Sequence, residues 1–260
     1  MILEVFAVGD YHLLIVDDAS PDGTQDLVRA LQERFPERLH LMTRPGKLGL
    51  GTAYIAGFKW ALERDYTYIF EMDADFSHNP KDLPRLHQAC LDGADLALGS
   101  RYVRGGKVVN WPWNRILISR GGSLYTRLIT WMPVADPTAG FICYHRRVLE
   151  AIPLDEVNFI GYAFQIEMKY RAWKLGFVIK EVPITFVDRV EGSSKMTKGI
   201  IQEAMIGVWK MRRYPKQARR KQQPKTPAKL GDSVSSEAYE DLPEKASPTN
   251  LDSGKKDYDP

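Results

Sequence analysis

The chain has 260 residues, 44% apolar and 27% charged, the balance of a folded globular protein, which excludes wholesale disorder and fibrous repeats and allows one large domain or two small ones. Lys plus Arg number 36 against 33 for Asp plus Glu, a formal +3. The two cysteines, Cys90 and Cys143, come without a CxxC or a His cluster, which excludes a disulfide scaffold or a cysteine-built zinc site and suits a reducing compartment. There is no run of about 18 apolar residues, and residues 1–9 lack the basic start of a signal peptide.

Residues 12–16 form a short apolar run that predicts a strand, closed by Asp17-Asp18 and the turn Ser20-Pro21-Asp22-Gly23. Thr24 stands at the N-cap position of a helix carrying Leu27, Val28 and Leu31. The pattern then predicts a strand over 39–42, a helix over 52–62, a strand over 68–72, a helix over 80–91 and a strand over 96–99. Further on it predicts a helix over 114–131, a strand over 141–144, a helix over 162–175, strands over 178–182 and 184–187, and a last helix over 200–211. Strand–helix alternation with short turns predicts an α/β, mostly parallel, doubly wound sheet. In such sheets the ligand site lies beyond the carboxyl ends of the strands, where Asp17-Asp18, Asp73-Ala74-Asp75 and Ser100-Arg101 all fall.

The character changes after residue 211. Residues 210–229 carry nine basic side chains and no acid, and residues 230–260 carry eight acids and three lysines. This composition predicts a disordered tail, 212–260, after one domain over 1–211. Without residues 210–260 the rest has 24 cations against 25 anions, so the basicity belongs to the tail. Its basic half either sits on an anionic membrane surface, at about 1 kcal/mol per cation, or is a solvated appendage.

Asp73 and Asp75, two apart at a strand end, suit a shared hard cation that would bridge diphosphate oxygens; alone, Asp-x-Asp is as readily a solvated loop. Arg101, Arg115, Arg189 and Lys195 supply fixed cations suited to phosphate. Arg189 and Lys195 flank a Gly/Ser-containing loop fit to close over a ligand. The segment 46–52 is no phosphate loop, because Tyr54 stands where GxGxxG needs its third glycine. Glu167 is either paired or functional, and Asp136 is either a loop cap or an active-site carboxylate. The five histidines show no metal spacing and receive no role.

Seven ordered motifs carry a family likeness: Val16-Asp-Asp-Ala-Ser-Pro-Asp-Gly-Thr24, the segment 44–54, Glu71-Met-Asp-Ala-Asp-Phe-Ser-His78, Gly99-Ser-Arg-Tyr102, Asn110-Trp-Pro-Trp-Asn-Arg115, the segment 161–168 and the segment 186–195. Over residues 10–211 the chain resembles the polyprenyl (dolichyl) phosphate mannosyltransferases of glycosyltransferase family 2. The resemblance implies a GT-A fold, with a Rossmann-like sheet flanked by helices, and inverting transfer of mannose from GDP-mannose to a polyprenyl monophosphate. It implies that Val16, Asp18, Asp73, Ala74, Asp75, Arg189 and Lys195 bind the nucleotide sugar. Asp73 and Asp75 are implied at a Mg²⁺ or Mn²⁺ site, and Arg101, Arg115 and Ser119 at the lipid phosphate. The catalytic set is then Asp75, Arg101, Arg115 and Asp136, with Asp136 or Glu167 orienting sugar or acceptor. Some relatives have Gln two residues after the second Asp as a metal contact, where this chain has Ser77. Expected partners are the two substrates, a membrane surface and, in one arrangement, a separate membrane subunit, but no nucleic acid. The expected location is peripheral, at the cytoplasmic face of a membrane. Two alternatives are a transferase of another nucleotide sugar such as UDP-glucose and an inactive, membrane-associated scaffold.

The family's first strand, ending in Pro-Thr-Tyr-Asn-Glu, has no counterpart, and residues 1–9 read as the end of the helix that follows it. In the expected strand order 3-2-1-4 the missing strand is central, so its two neighbours should have unpaired ladders. The sequence is therefore expected to be truncated or to start at a wrongly chosen Met.

Overall fold

The computed structural model describes residues 1–159, 161, 163–188 and 198–212. The expected tail from 213 onward lies outside these residues. The elements follow the sequence pattern: α1 (Ile2–Ala7), β1 (Leu13–Asp17), α2 (Thr24–Arg34), β2 (Leu39–Thr43), α3 (Leu50–Leu62), β3 (Tyr68–Glu71), α4 (Leu83–Leu91) and β4 (Leu96–Ser100). Then come β5 (Lys107–Val109), α5 (Trp113–Thr130), β6 (Ile142–His145), α6 (Arg146–Ala151), α7 (Ala163–Lys174), β7 (Ile179–Pro183), β8 (Thr185–Val187) and α8 (Lys198–Met211). The short elements β5 and α6 were not expected. Thr24 is the first residue of α2 and not its cap. Gly23 takes that place at φ +81°, a left-handed conformation that suits glycine, while the Asp22 carboxylate accepts from the Thr24 backbone N at 3.1 Å.

The strands agree with the expected order as far as it goes, with β1 beside β2 and, among the described residues, the inner edges of β1 and β3 unpaired, and a reversed strand, β6, was not expected. β1 and β2 pair in parallel; β3, β6, β4 and β7 form a second sheet in that order; β5 and β8 form a third pair. β6 runs antiparallel to both β3 and β4, whereas β4–β7 and β5–β8 are parallel. A reversed strand reached through the long α5 thus separates β3 from β4. Among the described residues β1 pairs only with β2 and β3 only with β6, so each has one edge without a ladder.

β4 is buried along its whole length and divides the core. Its side chains alternate between faces: Leu96 and Leu98 meet Ile142, Tyr144, Phe164 and Met168 on the α3/α7 side. Ala97 meets Leu86, Phe141 and Cys143 on the α4 side. Each such leucine contributes about 1.5–3 kcal/mol by leaving water. Past β4 the chain turns back on itself so closely that a Cβ on Gly106 would lie 2.5 Å from the Ser100 carbonyl oxygen.

Two charged side chains lie inside the α3/α7 half. Glu71, 2% exposed, accepts from the Tyr144 hydroxyl at 3.4 Å on Oε1, and its Oε2 has no partner. Lys169 is fully buried and donates to the carbonyls of Ala139 at 2.6 Å and Gln165 at 2.9 Å. Burial pushes the Glu71 carboxyl up to about 8, against the pull of Lys169. Burial likewise pushes Lys169 down to about 8, with Glu71 and Asp136 opposing.

Gly106→Ala should destabilise the fold by about 1–3 kcal/mol, read as a lower urea midpoint, because the neighbour it meets is backbone. Between the ordinary carboxylate range and about pH 8, folded Glu71 keeps a proton that the unfolded chain releases, so stability falls as pH rises through this window. Glu71→Gln keeps a neutral group there and should flatten that fall in melting temperature.

Candidate active site

A cleft of about 1020 Å³ opens over the carboxyl ends of the strands and continues between the free edges of β1 and β3. Its rim is where the sequence places charge at strand ends. Val16, Asp73, Ala74, Asp75, Arg101, Arg115 and Ser119 all line it. Asp18 and Asp136 do not. Arg189 and Lys195 lie outside the described residues, as does the loop joining them.

The β3 end forms an acidic wall whose side chains are fixed by neighbours. The Tyr54 hydroxyl of α3 donates to Asp73 Oδ1 at 2.8 Å. The Asp73 backbone N donates to His78 Nδ1 at 3.2 Å, which puts the proton of the neutral ring on Nε2. His78 is 3% exposed, and burial pushes its pKa down despite Asp73 and Asp75 nearby. Asp75 Oδ1 accepts from the Ser77 backbone N at 3.0 Å and hydroxyl at 2.5 Å. Ser77, where some relatives have Gln, therefore orients Asp75. Phe76 between them sits at φ +61°, a conformation rare for an aromatic residue and typical of binding sites.

Two carboxylates with a neighbouring hydroxyl are a hard-oxygen set, and the Tyr54 bond occupies only one oxygen of Asp73. The set fits Mg²⁺ or Mn²⁺ with a ligand's phosphates completing the shell, the usual manner of binding Mg²⁺. Among the described residues no cluster of three or more His, Cys, Asp or Glu is placed to hold an ion unaided.

The opposite wall is basic. Arg101 is 8% exposed and grips fully buried Asp136 with a two-pronged contact, Nε to Oδ2 at 2.7 Å and Nη2 to Oδ1 at 2.6 Å, while its own backbone N adds a third bond at 3.0 Å. Nη2 also reaches the Thr138 hydroxyl at 2.8 Å. Burial opposes charge on both partners, but mutual attraction holds the Asp136 carboxyl below its ordinary range and Arg101 above its own. Asp136, expected at the catalytic surface, is instead the buried counter-ion that positions Arg101. Its loop is tied to β7 by Glu181, which accepts from the backbone N of Ala135 at 2.7 Å and Asp136 at 3.0 Å.

Arg115, from α5, donates to Asp188 at 2.7 Å and stacks over Trp111 at 4.1 Å. Its Nε is buried without a partner. Ser119 accepts from the Tyr102 hydroxyl at 2.6 Å. Asp18 is held by Arg44 through Nε at 2.6 Å and Nη2 at 2.7 Å, which stiffens the turn after β1. Glu167 proves structural: fully buried, it accepts from Arg171 at 2.8 Å and from the backbone N of Asn158 and Phe159.

Tyr54, His78, Thr138, Glu181 and Asp188 gain roles that sequence reasoning did not assign. Tyr54 was visible only as a residue breaking a glycine motif. His78 follows Asp73 by five residues, but nothing in that spacing announces a hydrogen bond to a backbone amide.

Residues 2–152 match the family model described as glycosyl transferase family 2. The chain is 51% identical over 197 residues, 76% of its length and 74% of the relative's, to "Polyprenol monophosphomannose synthase" of Mycolicibacterium smegmatis. It is 50% identical over 202 residues, 78% of its length and 82% of the relative's, to "Undecaprenyl-phosphate mannosyltransferase" of Micrococcus luteus. Among solved structures, the glucosyl-3-phosphoglycerate synthase of Mycobacterium tuberculosis with Mn²⁺, UDP and glucosyl-3-phosphoglycerate is similar at a TM-score of 0.57 and 16% identity, over 82% of this chain and 74% of that one. The same enzyme with Mg²⁺ and UDP gives 0.55 and 17%, over 78% and 69%. At such identity the likeness concerns the α/β fold alone. On the family model and the two half-identical relatives, the chain belongs to glycosyltransferase family 2.

Proposed function

We propose that the protein transfers mannose from GDP-mannose to a polyprenyl monophosphate, with inversion at the anomeric carbon. Its product is polyprenyl-phosphate mannose. The observation that carries this function is the pair of half-identical relatives named for mannosyl transfer to polyprenyl phosphates, and the cleft has the chemistry it requires. Its lipid acceptor puts the reaction at a bilayer surface, where the protein acts as a peripheral enzyme on the cytoplasmic side.

An acceptor phosphomonoester, with its second pKa near about 6, is largely dianionic at neutral pH and needs no base to become a nucleophile. One of its oxygens attacks the anomeric carbon while the bond from that carbon to the diphosphate breaks, and GDP leaves with the electron pair. Arg101 and Arg115 bind and align the acceptor phosphate. Asp136 holds Arg101, and Asp188 holds Arg115. Asp73 and Asp75 would hold Mg²⁺ or Mn²⁺, which supplies charge neutralisation to the departing diphosphate. Tyr54, His78 and Ser77 keep those carboxylates in place before substrate arrives. Val16 and Ala74 line the donor side, Asp18 stiffens its edge, and Arg189 and Lys195 join the diphosphate from the loop that bears them.

Asp75→Ala should lower metal-dependent transfer of labelled mannose from GDP-mannose by at least about a hundredfold while leaving the circular dichroism spectrum unchanged. Retained turnover would refute the assignment, and transfer from UDP-glucose at an equal rate would refute the choice of donor. Asp136→Asn should cost about 3–5 kcal/mol in urea unfolding, because it leaves Arg101 buried without its counter-charge. It should also raise KM for the acceptor.

A further inference from the structure

Two buried N–H donors on the basic wall have no hydrogen-bond partner among the described residues: Nε1 of the Trp111 indole and Nε of Arg115. Both side chains line the cleft. Buried polar groups are nearly always paired, and an indole or guanidinium nitrogen can only donate. What both nitrogens lack is therefore an acceptor, which a ligand in the cleft can bring.

Local chemistry fixes the indole here. Asn110 is at φ +64°, a left-handed conformation that asparagine tolerates, and Pro112 biases Trp111 toward extended backbone. Pro112 then caps α5, and its carbonyl accepts from the Arg115 backbone N at 3.0 Å. The ring turns back onto the start of the helix, where the Arg115 guanidinium carbon lies 4.1 Å from its centroid. Arg101 approaches the same ring at 5.5 Å, and Phe186 of β8 meets it in a T-shaped contact at 5.5 Å. An aromatic face attracts a cation, so one indole lets two like charges stand side by side.

Each arginine already has its carboxylate, Asp136 for Arg101 and Asp188 for Arg115. Formal charge is thus balanced between these pairs before a ligand arrives, and the hold on a phosphate depends on the N–H and O–H groups still open to it. Arg101 uses Nε and Nη2 on Asp136 and Thr138, and Arg115 uses Nη1 on Asp188. Ser119, whose oxygen accepts from Tyr102, keeps its own proton to give. Trp111 Nε1 and Arg115 Nε complete a set of donors suited to an oxyanion with several acceptor oxygens.

We propose that Trp111 is a further binding residue for the acceptor phosphate: its indole N–H, together with Arg115 Nε, donates to phosphate oxygens, and its ring holds the two guanidiniums in position. The proposal rests on the mannosyltransferase function above, which supplies the phosphate. A neutral donor suits this wall, since it adds a hydrogen bond without adding a charge that would need its own counter-ion.

The test is proton–nitrogen NMR of the full chain with isotope-labelled tryptophan, titrated with geranyl phosphate. The Trp111 indole signal, assigned by its loss in Trp111→Phe, should move downfield with geranyl phosphate and stay in place with geraniol, which lacks the phosphate. Trp111→benzothienylalanine puts sulfur in place of the N–H and keeps the shape of the ring, so the melting temperature should be unchanged. Loss of one hydrogen bond to a charged group should raise the KM for geranyl phosphate about tenfold or more, with the KM for GDP-mannose unchanged. An indole signal that stays in place while geranyl phosphate binds would overturn the proposal, as would an unchanged acceptor KM in the sulfur variant. A signal that moves with GDP-mannose alone would put the donor against Trp111 and overturn it too. Movement with geranyl phosphate, but no mannose transferred by the wild type, would refute the mannosyltransferase function and leave the phosphate contact standing.

Discussion

Arg101 leaves the end of β4 in the protein interior, where its guanidinium grips Asp136. A buried charge without such a partner would be strongly destabilising, so the loop carrying Asp136 has to stay against β4. Glu181 of β7 holds the same loop from behind through two backbone amides. β7 pairs with β4, so three segments distant in sequence are locked by one ion pair and its supports. Because the loop leads into β6, the same contact anchors the reversed strand that separates β3 from β4. The basic wall of the cleft is thus part of the fold's own framework.

The acidic wall is held differently. Asp73 and Asp75 stand at the cleft surface, where a tyrosine hydroxyl donates to Asp73, a serine hydroxyl donates to Asp75, and a buried imidazole accepts from the Asp73 backbone N. Hydroxyl donors orient a carboxylate without cancelling its charge. Beneath this wall the buried Glu71 and Lys169 are pushed by burial toward their neutral forms. Near neutral pH the Glu71 carboxyl is thus held neutral beneath the wall.

α5 joins the two halves of the chemistry. One side of this helix brings Arg115 and Ser119 into the cleft, and the other leaves leucines and tryptophans in solvent. A helix can carry both because its period places residues four apart on one face and those two apart on opposite faces.

Much of this was legible in the sequence, because most elements here obey local rules. The apolar periods of β1, α3, β4, α5 and α7 and the turn residues between them set the α/β class. Strand-end charge at Asp73, Asp75 and Arg101 marked the rim that becomes the cleft, and the ordered motifs gave the family. The place and direction of β6 were not legible: it has the same short apolar pattern as a parallel strand, and its direction depends on where α5 deposits it. Nor did the sequence separate Asp136 or Glu167 as catalytic or structural, since a carboxylate's role follows from which cation it meets and whether water reaches it. Tyr54 and His78 acquired roles only through contacts that bring α3 and the loop after β3 against Asp73. What the sequence determined by itself were the elements and the chemical endowment of the rim, because periodicity and turn chemistry act between near neighbours. Tertiary structure alone decided the place of β6 and the division of charged residues between cleft and interior, because strand pairing, burial and ion pairing act between residues far apart in the chain.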